Sequence, residues 1–168
     1  NIDFMSWLND VVKGYDPDAY IVGECWTSSI PQLAYWQGDL PSVMDFPLHD
    51  ASRAALCEQN PGWGQGMTRV YDILSHDFLY KDVNDILVFM GNHDGANRED
   101  PWGHGGLRAD FTEGWQNLSP ENKEVYDYSK KLFQWRKETP VIAQGRTLHF
   151  LSRDNTYAYF RYDDDSVV

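Results

Sequence analysis

Two carboxylates stand directly behind short apolar runs. Glu24 follows Tyr20-Ile21-Val22-Gly23, and Asp94 lies 70 residues further on, behind Ile86-Leu87-Val88-Phe89-Met90 and the tripeptide Gly91-Asn92-His93. Apolar runs without polar alternation suit strands buried on both faces of a parallel sheet. In such sheets functional groups gather at the carboxyl ends of the strands. Two carboxyl groups brought together there divide acid and base labour, because close approach and burial keep one protonated while the other stays charged. Cleavage of a glycosidic bond needs that pair: an acid for the leaving oxygen, and a carboxylate to meet the positive charge growing on the sugar carbon. The plainer reading of either residue taken singly is an N-cap of the next helix. Their pairing weakens that reading, and so does His93 beside Asp94, since a histidine in a strand-end loop can donate to a substrate hydroxyl. Trp26, Trp36, Trp63 and Trp102 are expected in loops on the same face, where indole rings can stack on sugars.

The elements that must position these groups follow from periodicity. Ile2, Met5, Leu8 and Val12 fall on one helical face, with Gly14 as the stop and Tyr15–Asp18 as a turn. Strands are expected at Tyr20–Gly23, Ser42–Phe46 and Asp85–Met90. A helical stripe runs through Met67, Val70, Tyr71, Leu74 and Phe78. Gly95–Trp115 lacks periodicity and reads as a long loop. Ser119-Pro120-Glu121 opens a helix whose face is Val125, Tyr128, Leu132 and Trp135, and Thr139-Pro140 ends it. Thr147–Leu151 and Thr156–Tyr162 form a hairpin over Ser152–Asn155. Parallel strands alternating with helices imply a doubly wound sheet or part of a barrel, with a boundary to all-β structure near Pro140–Gly145.

Composition narrows the partners. The chain has 168 residues and a formal net charge of −12, so it lacks the clustered Lys and Arg that nucleic-acid binding requires. It holds no apolar run of ~18 residues, so no membrane partner is expected, and Asn1–Phe4 has none of the blocks of a signal peptide. A hydrophobic fraction of 42% supports a core. Seven Trp, ten Tyr and eight Phe are as compatible with an aromatic core alone as with a core plus faces that stack on flat ligands such as sugar rings. Cys25 and Cys57 match no metal motif and are expected to be inert, buried thiols.

These motifs carry a resemblance. Tyr20-Ile21-Val22-Gly23-Glu24-Cys25-Trp26 resembles the segment bearing the acid/base glutamate of the alpha-amylase family of glycoside hydrolases. Phe89-Met90-Gly91-Asn92-His93-Asp94 resembles the family's segment ending in Asn-His-Asp, in the right order and at the right spacing. Val43-Met44-Asp45-Phe46-Pro47-Leu48 is similar to the sixth-strand segment of cyclomaltodextrinases and neopullulanases. His104–Phe111 and Trp135–Ile142 are similar to the same subgroup. Each motif alone is unspecific, whereas the ordered set covers essentially the whole chain.

The resemblance implies a fold: a partial (β/α)8 barrel, strands five to seven and the last helix, over residues 1–142, and the first strands of a β-sandwich domain over 143–168. It implies Glu24 as proton donor and then base, Asp94 as stabiliser of the oxocarbenium-like centre, and His93 as a sugar ligand at the cleavage point. Asn92 shapes that loop, and Trp26 and Asp45 join it in binding substrate. It further implies retention of configuration on alpha-glucan oligosaccharides, with no cofactor, although calcium occurs in many members. A periplasmic or secreted setting is favoured over a cytoplasmic one. Oligomeric state is open.

The sequence departs from the family at three places. No Gly-Phe-Arg-x-Asp stretch supplies the nucleophile. Gly95–Gly103 is too short for the helix and strand that should precede His104, so a unit on the order of 30 residues is missing. Arg98 falls one position late. The chain alone is therefore expected to be inactive, because the retaining mechanism needs its nucleophile. The alternatives are a non-catalytic carbohydrate-binding module and a structural α/β domain whose carboxylates are caps.

Overall fold

A computed structural model describes residues 2–89 and 119–168. They fall into two compact units, residues 2–89 with Ser152–Tyr157, and residues 119–151 with Ala158–Val168.

The first unit is α/β. Helix α1 (Ile2–Tyr15) half-buries the expected Ile2, Met5, Leu8 and Val12 face and leaves Phe4, Trp7, Val11 and Tyr15 exposed. It runs through Gly14, and the Asp16 N–H still donates to the Val12 carbonyl (2.9 Å). Next come β1 (Val22–Gly23), α2 (Ile30–Gln37), β2 (Ser42–Met44), α3 (Phe46–Cys57), α4 (Met67–Leu74), 3-10 turns at Asp77–Leu79 and Val83–Asp85, and β3 (Ile86–Leu87). The sheet order is β1-β2-β3, all parallel, pairing Val22 with Ser42 and Gly23 with Val43, then Val43 with Ile86 and Met44 with Leu87. Helical crossovers return the chain between parallel strands, as such pairing requires.

Central β2 carries the core. Val43 and Leu33 are fully buried and pack with Ile30, Tyr80 and Ile86; Cys25, Ala34, Trp36 and Ile73 close around them. Gly23 is glycine for lack of room, since a Cβ there would sit 2.5 Å from Leu40 Cδ1. Gln37, also buried, ties α2 to the segment before β3. Its amide donates to the Asp82 carbonyl (2.6 Å), and its Oε1 accepts from the N–H groups of Lys81 (2.8 Å) and Asp82 (3.3 Å).

Between α3 and α4, Glu58 binds Arg69 through Nε (2.9 Å) and Nη2 (2.6 Å) and accepts the Gly66 N–H (2.6 Å). Together these contacts lower the Glu58 carboxyl pKa. Gly66 has φ +60°, ψ −140°, a conformation open only to glycine. The Ser152–Tyr157 tip packs here. Asn155 Oδ1 accepts the Met67 N–H (2.9 Å) at the start of α4, Ser152 and Thr68 share a hydroxyl contact (2.9 Å), and Tyr157 meets Tyr71 edge to face. Asp154 and Asn155, at φ +51° and +55°, make the two-residue turn closed by the Arg153–Thr156 pair. That left-handed conformation is the one Asn and Asp tolerate best among residues with a Cβ.

In the second unit, α5 (Pro120–Glu138) is followed by α6 (Pro140–Gln144) and the antiparallel pair β4 (Arg146–His149) and β5 (Tyr159–Tyr162), with Arg146 opposite Tyr162. Arg161 binds this unit together. Its guanidinium donates to the Ile142 carbonyl (3.0 Å) and to Thr147 Oγ1, and its backbone pairs with Val168 in both directions (2.9 Å).

Several expectations need correction. The first strand is only Val22–Gly23, and Tyr20 and Val22 are exposed, so it is not buried on both faces. The run Ser42–Phe46 stays extended only to Met44, because Asp45 turns to cap α3 and Phe46 is already helical. Val83–Asp85 is a 3-10 turn and pairing stops at Leu87; Met90 lies outside the described residues. Helix α4 ends at Leu74, leaving Phe78 exposed in the next turn. Helices α2, α3 and α6 were not anticipated.

Candidate functional site

The carboxyl ends of the three strands put Glu24, Asp45 and Phe89 in successive loops. Glu24 directly follows β1 and is exposed. Cys25 turns inward against the core, where burial raises its thiol pKa, and Trp26 turns out, 70% exposed. Both cysteines are free and half-buried rather than fully buried. Cys57 stands at the end of α3, where its thiol donates to the Arg53 carbonyl (2.7 Å).

Past β2, Asp45 is nearly fully buried. Its N–H donates to the Leu87 carbonyl (3.0 Å), extending the contact with β3 by one residue. Its Oδ1 accepts the Leu48 N–H (3.0 Å), satisfying one of the free donors at the start of α3. Burial raises the Asp45 carboxyl pKa, and the Leu48 bond partly offsets this. Asp45 is therefore the N-cap of α3 in addition to standing at the strand end.

An aromatic row crosses this edge. The Trp26 ring lies nearly parallel to Phe46 (centroids 5.3 Å, 13°), Phe46 meets Phe89 edge to face (5.1 Å, 75°), and Phe89 lies flat on His49 (4.7 Å, 8°). Each ring comes from a different place: the loop after β1, the first residue of α3, the residues past β3, and the second turn of α3. Aromatic contacts of this geometry fix ring orientation beyond what burial alone supplies. Phe46 is buried and anchors the row. Trp26 presents a broad apolar face to solvent from a fixed support.

Among the other tryptophans expected at this edge, Trp36 is on α2 and packs half-buried against the core, so it is not a loop platform. Trp63 is fully exposed, and it follows α3, whose 12 residues carry the chain ~18 Å from Phe46. Trp102, Asn92, His93 and Asp94 lie outside the described residues, as do His104–Phe111 and the stretch Gly95–Gly103. Among the described residues, no group of three or more His, Cys, Asp or Glu could hold a metal ion, and no helix is long and apolar enough to cross a membrane.

The structure also brings forward residues that carry no motif. Asp77 and Tyr80 flank a 3-10 turn, and the Tyr80 N–H donates to the Asp77 carbonyl (3.2 Å). Tyr80 is buried in the core cluster, and its hydroxyl has no hydrogen-bond partner among the described residues. Burial, together with the charge of Asp45, lifts the Asp77 carboxyl to about 6. Nothing in the spacing of these residues marks them; only the fold assembles them.

No family model matches the chain. It is 26% identical to a cyclomaltodextrinase of Geobacillus thermopakistaniensis (strain MAS1), over 99% of this chain and 34% of that enzyme. It is 24% identical to a maltogenic alpha-amylase of Bacillus acidopullulyticus, over 94% of this chain and 32% of that enzyme. The matched stretch of the cyclomaltodextrinase is 205 residues, so it includes positions with no counterpart in these 168. Among solved structures, an Anoxybacillus alpha-amylase superposes with a TM-score of 0.74 at 18% identity, and the Geobacillus thermoleovorans alpha-amylase complexed with acarbose with 0.72 at 19%. Each of these two covers 99% of this chain and 44% of the other. The chain spans about a third of the length of the curated relatives it matches; its sequence is similar to that of these alpha-amylase-family enzymes, and its fold to that of the solved alpha-amylases.

Proposed function

We propose that the chain is a part of a retaining alpha-glucan hydrolase in which β1, β2 and β3 are barrel strands five, six and seven. Residues 143–168 open the β-sandwich domain on this reading. Glu24 protonates the glycosidic oxygen and then activates water, and Asp94 holds its charge against the oxocarbenium-like carbon. His93 binds the sugar at the cleavage point, Asn92 shapes the loop, and Trp26 offers its face to a neighbouring sugar ring. The single observation that supports this best is the carboxyl edge itself. An acid directly behind β1 stands two residues from an exposed, braced tryptophan, which is the pairing of proton donor and apolar sugar rest that glycoside cleavage uses.

The 168 residues contain no Gly-Phe-Arg-x-Asp stretch. Without a nucleophile no covalent glycosyl intermediate forms, so these residues bind glucan and do not hydrolyse it. The test is reducing-sugar release from starch, pullulan and cyclodextrin by the purified chain, alongside acarbose binding by calorimetry. Binding without release is expected. Release that Glu24→Gln abolishes would overturn the missing nucleophile, and absence of binding would overturn the glucan reading. The braced, exposed Trp26 also favours a second reading, a non-catalytic sugar-binding module. Binding that survives Glu24→Gln with Asp94→Asn but not Trp26→Ala would select it.

A further inference from the structure

The aromatic row at the carboxyl edge runs further than a single platform needs. Trp26 rests on Phe46, and that contact alone covers one face of the indole. Phe46 in turn meets Phe89, and Phe89 lies on His49. Phe46 and His49 stand three residues apart on α3, a spacing that makes two side chains neighbours on a helix surface. The Phe89 ring therefore enters a slot that α3 builds, edge to face with Phe46 at 75° and flat on His49 at 8°. The helix entry fixes that slot. There Asp45 Oδ1 accepts the Leu48 N–H (3.0 Å), and the Asp45 carbonyl accepts the His49 N–H (3.1 Å).

Trp26 is held through its backbone as well. The next residue, Thr27, donates its hydroxyl to Gln32 Oε1 on α2 (2.6 Å) and accepts the Ser29 N–H (3.1 Å). The segment carrying the indole is thus tied to the start of α2, while the ring leans on Phe46. The far end of the row is different in kind. The His49 side chain is 9% exposed, with Nδ1 facing Asp50 Oδ1 (3.2 Å), so it offers a ligand almost no surface.

An indole that is fixed only when a sugar ring arrives loses its rotamer freedom at that moment, and the loss is subtracted from the affinity. An indole fixed beforehand has no such loss. For one side chain the difference corresponds to roughly two- to tenfold in a dissociation constant. Ring contacts supply the fixing, because offset and edge-to-face pairs favour particular orientations in addition to burial. Phe46 presents a constant face to Trp26 while its own ring is kept from turning. Phe89 restrains Phe46, and His49 restrains Phe89. We propose that Phe89 and His49 are positioning residues for Trp26: through Phe46 they hold the indole plane ready for a glucan ring, and they set its affinity without touching the sugar. That the held plane serves a glucan rests on the reading of Trp26 as the sugar platform; the series of ring contacts that holds it does not.

The experiment is NMR on the intact chain, read at the Trp26 indole N–H, which Trp26→Phe assigns, and at the His49 ring protons, which His49→Phe assigns. His49→Ala removes the last ring of the row, and Phe89→Leu replaces the middle ring by an aliphatic chain. Each should move the Trp26 indole signal, and each should weaken acarbose binding roughly two- to tenfold by calorimetry. His49→Phe keeps a flat ring on Phe89 and should return both the signal and the affinity to the parent's values. A Trp26 signal unmoved in both His49→Ala and Phe89→Leu would overturn the proposal, as would His49→Phe behaving like His49→Ala. A moved signal with unchanged affinity would overturn the role in binding.

The parent itself gives a second measurement that no substitution can disturb. Acarbose should shift the His49 ring signals together with the Trp26 indole, and its protons should show cross-relaxation with Trp26 and none with His49. Cross-relaxation from the sugar to His49 would make His49 a ligand and overturn its positioning role; His49 signals that stay still while Trp26 shifts would overturn the coupling. If acarbose does not bind, the platform reading fails, and the Trp26 signal in the variants still decides the positioning.

Discussion

Replacing Gln37 by alanine should be among the most damaging changes available outside the apolar core. Gln37 is 2% exposed, and its amide serves one carbonyl at 2.6 Å and two N–H groups at 2.8 and 3.3 Å. Truncation leaves the Asp82 carbonyl and the Lys81 N–H without partners next to buried Tyr80. At ~1–1.5 kcal/mol for each good bond, with a further ~1 kcal/mol for the emptied side-chain volume, the loss is ~3–4 kcal/mol. With a urea slope of ~1–3 kcal/mol/M, the midpoint falls by roughly 2 M. Gln37→Glu separates hydrogen bonding from volume. The carboxylate still accepts from Lys81 but faces the Asp82 carbonyl with a charge, so it pays near neutral pH. Protonation restores a donor, so its folded pKa lies above the unfolded one. Its deficit is then smallest in acid and grows as pH rises through the folded value. Urea melts of the parent and both variants at pH 4.5 and 7.5 measure this. A Gln37→Ala cost below ~1 kcal/mol, or a Gln37→Glu deficit that ignores pH, would refute the assignment of Gln37 as the tie between α2 and residues 81–82.

Three further outcomes are expected. Leu33→Ala, at a fully buried site, should cost ~2–5 kcal/mol, whereas Leu56→Ala, at 66% exposure, should stay within ~0.5 kcal/mol; the same urea melts compare them. Asn155→Ala removes the acceptor for the Met67 N–H and puts a Cβ without a polar tip at φ +55°. It should cost ~2 kcal/mol, and Asn155→Gly, which relieves only the backbone, less than that. Trp26→Ala should abolish measurable acarbose binding by calorimetry, while Trp63→Ala, at a fully exposed indole with no ring partner among the described residues, should leave it unchanged; equal losses would remove the distinction between a braced and a free tryptophan.

The legible part of the fold was whatever showed a pattern over more than two turns of chain. The α1 face, the α5 start at Pro120, the Asp154-Asn155 turn and the presence of three strands in the first unit all follow from residue spacing. Helices α2 and α3 were missed because both begin at an X-Pro step, Ile30-Pro31 and Phe46-Pro47. Proline there suits the first helical turn but reads equally as a turn or strand end. The strands shrank to two or three residues because the adjacent apolar residues leave the sheet. Asp45 turns to cap a helix, Val88 is exposed, and Phe89 leaves β3 to meet Phe46 and His49. At the candidate site, Glu24, Trp26 and Asp45 were marked by their motifs. Gln37, Asp77 and Tyr80 could not be, since a buried amide and a buried phenol acquire meaning only from what folds around them.

The turn that caps α4 has a bearing on how this chain can be cut. Asn155 belongs with the first unit, although 88 residues separate it from Met67. A gene trimmed at residue 142, where the helical part gives way to strands, would deliver the three parallel strands intact but leave the first amide of α4 exposed to water. Anyone excising residues 1–142 for expression should therefore expect a weaker product than the full chain, and should carry the hairpin along.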